Sequence, residues 1–143
     1  LVVSISPFCQ GVVINEIDAL TSEDSQFVEL YGSPNTGLEG HSLALVKSVF
    51  LGGGAYGVEG YDAISLEGQS LDSEGFLSIE LALNTTIAAV AIYELDISML
   101  TVGATPPTDE IVDALVYGNT SPTHPQASIL IQAIMPSVSF LLF

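Results

Sequence analysis

Positive charge is almost missing from this chain. Lys47 is its single Lys or Arg, against seventeen Asp and Glu, and the formal net charge is −16. A surface so poor in cations disfavours nucleic acid and anionic membranes as partners and favours cations, divalent ones above all. Cysteine is nearly absent too. Cys9 stands alone, so no disulfide can close within the chain. With His41 and His124 as the only histidines, no zinc-ligand spacing exists. Helical periodicity is hard to find. No D-x-D-x-D-G loop occurs, which removes the EF-hand.

What is present is apolar sequence in short runs. The hydrophobic share is 48%, enough for a real core in one domain and far from the composition of a disordered chain. The runs recur between clusters of Gly, Pro, Asn, Ser and Asp, the pattern of an all-β sandwich or barrel. Strands are expected over residues 12–17, 26–31, 42–51, 62–66, 75–81, 87–95 and 111–117. Residues 42–51 are apolar on both faces, as in a central strand. Leu77 and Ile79 alternate with Ser78 and Glu80, as in a half-buried one. Residues 52–60 and 103–109 are expected as loops. About seven strands fit the size of an immunoglobulin-like β-sandwich.

The ends differ from the middle. Residues 1–11 resemble a signal-peptide remnant, an apolar stretch followed by small Cys9 and Gly11; a short first strand is the other reading. The sandwich is expected over residues 12–118. Residues 119–143 form a tail, Pro-containing and then apolar. It has the order of a lipid-anchor signal, and it also fits a late strand or an incomplete end.

Motif matches are mostly formal. Gly52-Gly53-Gly54-Ala55-Tyr56-Gly57 satisfies G-x-G-x-x-G, but no helix follows to receive a pyrophosphate, so a hairpin loop is expected. Gly40-His41-Ser42-Leu43-Ala44 has the outline of a nucleophile elbow. It places a turn before the serine and a strand after it, the reverse of what an elbow requires. Asn84-Thr85-Thr86 and Asn119-Thr120-Ser121 are glycosylation sequons, so Asn84 and Asn119 are candidate acceptors. Glu16 and Glu29 sit within apolar strands and are expected to face solvent. Nothing in the chain marks an enzyme, and no cofactor is required. Glu16, Asp18, Glu23 and Asp24 are the candidate Ca²⁺ ligands, as members of a diffuse counterion layer.

Several segments together resemble the lamin tail domain family. They are Val13-Ile14-Asn15-Glu16-Ile17, Phe27-Val28-Glu29-Leu30-Tyr31, Leu38-Glu39-Gly40-His41-Ser42-Leu43, Ser65-Leu66-Glu67-Gly68, Gly75-Phe76-Leu77-Ser78-Ile79 and Ile111-Val112-Asp113-Ala114-Leu115-Val116-Tyr117-Gly118. The resemblance implies an immunoglobulin-like β-sandwich and no catalytic residues. It is nearer to the secreted invertebrate type, as in mollusc shell matrix proteins, than to the nuclear lamins, because the chain shows no heptad pattern, basic patch or import signal. The expectation is a secreted, acidic extracellular-matrix protein whose partners are Ca²⁺ or a mineral surface and other matrix macromolecules. An adhesion or targeting module of a larger exported protein is an alternative, as is a nuclear scaffold fragment.

Overall fold

The computed structural model describes residues 11–19, 25–84, 86–134 and 138–142. Among these the chain is mostly β. Eight strands form two sheets: β1 (Val13–Asp18), β2 (Phe27–Tyr31), β3 (Ser42–Gly52), β4 (Ala55–Ser65), β5 (Phe76–Glu80), β6 (Ala88–Tyr93), β7 (Ile111–Gly118) and β8 (Val138–Leu142). The smaller sheet has three strands in the order β1-β2-β5, and the larger has five in the order β4-β3-β6-β7-β8. All pairings are antiparallel except β7 with β8. That parallel pair needs a crossover, and helix α1 (Pro125–Ala133) provides it.

The alternation of each strand sorts its side chains into layers. Ile14, Val28 and Leu30 of the small sheet meet Leu43, Leu45, Val90, Ile92, Leu115 and Tyr117 of the large sheet in one core. The opposite face of the large sheet is also covered. There Ala44, Ala89, Ala91 and Ala114 lie under Ala127, Leu130 and Ile134 at the α1 face. Small residues on both sides let helix and sheet approach closely. Burial of Leu130 and Ile134 stabilises this layer by about 1.5–3 kcal/mol each. Strand β6 lies between both layers, and all of its residues are buried, which is why it lacks a polar face.

The structure departs from sequence expectation in three places. Residues 52–60 are not a loop. Gly53 and Gly54 turn the chain, and β4 runs from Ala55 in pairing with β3 along its length. Cross-strand hydrogen bonds to an apolar neighbour outweigh the weak strand propensity of Gly57, Glu59 and Gly60. Helix α1 is the second departure. It begins where Pro125 occupies the first turn and His124 Nδ1 accepts the N–H of Gln126 at 3.3 Å. Finally, β8 brings the strands to eight, where about seven were expected.

Two edges are tied down by specific contacts. A bulge places Tyr61 opposite the Leu45–Val46 step of β3. Beside it, Gly60 donates to the Ala104 carbonyl at 3.0 Å and accepts from Gly103 N–H at 2.8 Å, so loop residues cover the β4 edge. On the other sheet, the β1 edge is bridged to β7. The carboxylate of Asp113 accepts the N–H of Ile14 at 2.8 Å. The pairing of β8 with β7 begins one residue later, at Ala114.

Candidate functional site

The outward face of the three-stranded sheet is the best candidate. Cross-strand partners in an antiparallel pair share a face. The register therefore sets Val13, Tyr31 and Phe76 in one row, Glu16, Glu29 and Ser78 in the next, and Asp18, Phe27 and Glu80 in the third. Four of these nine residues are acidic and three are aromatic. Tyr31 and Phe76 pack with ring centroids 4.9 Å apart.

Glu16 reaches this face only because of a bulge. The register slips between Ile14 and Glu16, and Asn15 is the extra residue. Without that slip, strict alternation would place Glu16 with Ile14 toward the core. The bulge residue also serves its neighbour, for Asn15 Nδ2 donates to Glu29 Oε1 at 2.8 Å. Glu16 stands directly opposite Glu29, and two like charges so placed repel. The amide of Asn15 relieves part of the load on Glu29, and mobile cations relieve more.

Of the sequence-derived Ca²⁺ candidates, Glu16 and Asp18 are on this face, while Glu23 and Asp24 lie outside the described residues. Glu29 and Glu80 complete its acidic set. Glu29 carried a signal in the sequence, as a carboxylate alternating with apolar residues. The same alternation turned Glu80 outward. The adjacency of β2 and β5 carried none, since β3 and β4 intervene in the chain. Among the described residues, no three side chains of His, Cys, Asp or Glu form a cage for a metal ion. The face offers a field of carboxylates.

Many other acidic residues are engaged by the chain itself. Asp72 Oδ1 accepts N–H bonds from Phe76 and Glu74, and these hold its carboxyl below the ordinary value. Asp96 is held low by hydrogen bonds from Ser98. Glu67 accepts from Gly40 N–H, and Glu59 pairs with Lys47 at 3.4 Å. Asp113 departs the other way. Burial pushes its carboxyl up, and the N–H bonds of Ile14 and Ala114 offset only part of that.

The remaining motif residues have structural partners. Ser42 is buried, and its hydroxyl donates to the Leu95 carbonyl at 2.9 Å. His41 Nδ1 lies 3.1 Å from the Glu39 carbonyl oxygen. Asn84 is half-buried; its Oδ1 accepts both N–H and O–H of Thr86, and its own N–H donates to the Tyr61 hydroxyl. The middle residue of that sequon, Thr85, lies outside the described residues. Asn119 is exposed after β7. Tyr93 donates to the Pro107 carbonyl at 2.8 Å, and burial pushes its hydroxyl up to about 12. Burial likewise raises Tyr117, next to Tyr61. Both phenols are core groups with polar tips, held neutral. No helix among the described residues is long and apolar enough to cross a membrane.

No family model matches the chain, and no significant match appears among curated proteins or solved structures.

Proposed function

We propose that this protein is a secreted, acidic component of an extracellular matrix, non-catalytic, acting through surface carboxylates and Ca²⁺ on an immunoglobulin-like β-sandwich of the lamin tail kind. The observation that carries this reading is the outer face of the small sheet. Glu16, Asp18, Glu29 and Glu80 share that face in register, on one three-stranded sheet, and the chain's one Lys is engaged elsewhere. The family likeness of the strand motifs supports the fold assignment, and the charge supports the setting.

The mechanism is electrostatic. Each exposed carboxylate binds a cation weakly, and each contributes little alone. A fixed array raises the local cation concentration through the sum of its fields. Repeated engagement with a mineral surface or an acidic neighbour bridged by Ca²⁺ then adds avidity without a tight single site.

Titration calorimetry and thermal melting with CaCl₂, set against NaCl at equal ionic strength, test the reading. Ca²⁺ at millimolar concentration is expected to release or absorb heat and to raise the melting temperature beyond the NaCl control. The triple variant E16Q/E29Q/E80Q is expected to lose much of that difference. Absence of heat and of any calcium-specific melting shift overturns the proposal. So does finding the native product inside nuclei rather than in the insoluble fraction of a decalcified tissue.

A further inference from the structure

The β3–β4 hairpin extends past the sheet that supports it. Strand β3 pairs with β6 from Ser42 to Lys47, and from Ser48 onward its only strand partner among the described residues is β4. The projecting part is uncharged throughout residues 48–58. Its apex carries Phe50, 62% exposed, and Leu51, 67% exposed. Phe50 stacks edge-on with Tyr56, centroids 5.4 Å apart, and Leu51 lies across Gly57. Gly52, Gly53 and Gly54 close the turn at positive φ with no side chain to widen it. This is a narrow apolar prow on a strongly acidic body. At its root the one Lys pairs with Glu59.

We propose that this apex is a lipid contact: Phe50, Leu51 and Tyr56 enter the interfacial layer of an electrically neutral, phosphocholine-type bilayer. Three features select that occupant. Aromatic and leucine side chains on a thin projection fit the boundary between headgroups and acyl chains. The acidic body is repelled by anionic lipid but not by zwitterionic lipid, and at the hairpin root Lys47 offsets the charge of Glu59. The apex is also too small for a stable pair of copies, which needs about 800 Å² on each side. Depth is limited by the backbone. Beyond Lys47 no strand among the described residues lies beside the outer edge of β3, and its N–H and C=O groups must stay where water reaches. The contact is therefore shallow and reversible.

The full chain contains no Trp, so L51W supplies a unique reporter. With phosphatidylcholine vesicles at millimolar lipid, the wild-type chain is expected to co-float. L51W emission is expected to shift to the blue and to be quenched by lipids brominated high on the acyl chain. The double variant F50S/L51S is expected to co-float at least tenfold less while still melting cooperatively, since both side chains are more than 60% exposed. Failure of the wild type to float overturns the proposal. So does flotation that F50S/L51S leaves intact, which would assign binding to another segment. An L51W shift that follows protein concentration without lipid would assign the apex to a second copy instead.

Discussion

Asp113 on β7 accepts the N–H of Ile14 on β1 at 2.8 Å, and through this bond the edge of the small sheet is fastened to the large one. The two residues are 99 positions apart in sequence. Removing the acceptor orphans a donor at a buried residue, so D113A is expected to lose about 1–3 kcal/mol in denaturant unfolding.

The same carboxyl sets a pH dependence. Burial raises it above its ordinary value of 3.8. A carboxyl raised on folding holds its proton longer in the folded state. Its stabilising contribution is complete below the unfolded value and is lost as pH rises through the folded one. D113N keeps an oxygen acceptor and removes the charge. It is expected to melt above the wild type at pH 7, and the gap is expected to close as pH falls toward about 4. A constant gap across that range would assign the effect to packing.

Gly75 and Gly68 separate two costs. Both have positive φ, 93° and 76°. A Cβ at Gly75 meets the Gly32 carbonyl oxygen, and Gly32 N–H bonds to the Gly75 carbonyl; at Gly68 nothing among the described residues lies within 4 Å. G68A is expected to cost about 1 kcal/mol, the left-handed backbone alone. G75A is expected to cost roughly 3 kcal/mol or more, since backbone must move. Urea melts of the two variants give the comparison directly.

Glu16 opposite Glu29 is expected to be a net repulsion. E16Q should stabilise by about 0.2–1 kcal/mol at low ionic strength, and the gain should fade as NaCl is added. A gain that persists in salt would point to side-chain packing as its source.

Gln26 is buried at 1% exposure; its Nε2 donates to the Ala19 carbonyl, and its Oε1 accepts the Leu83 N–H at 2.6 Å. It joins the end of β1 to the chain leaving β5. Q26L strands both backbone groups and is expected to cost about 2–4 kcal/mol, read by thermal or denaturant melting.

Much of the strand pattern was legible because it is local. The span expected at 111–117 is observed as Ile111–Gly118, and that at 26–31 as Phe27–Tyr31. The β4 strand was hidden by its glycines, whose pairing is decided by β3 rather than by their own preference. Helix α1 was hidden by apolar residues on more than one side. Its signal was there, in Pro125 and in Ala127, Leu130, Ile131 and Ile134 at helical spacing. In the candidate face, outward carboxylates were readable one strand at a time. Their assembly was not, because it depends on which strands lie side by side and on a bulge at Asn15 that periodicity alone does not reveal.

The clip that Gly103 and Ala104 place on Gly60 has a bearing on solubility. Mutual repulsion between highly acidic molecules prevents edge-to-edge association in dilute salt, but it vanishes once divalent ions neutralise their surfaces. Backbone hydrogen bonds are indifferent to that change. The blocked stretch of β4 therefore stays closed to a foreign strand under any ionic condition in which charge no longer keeps neighbours apart.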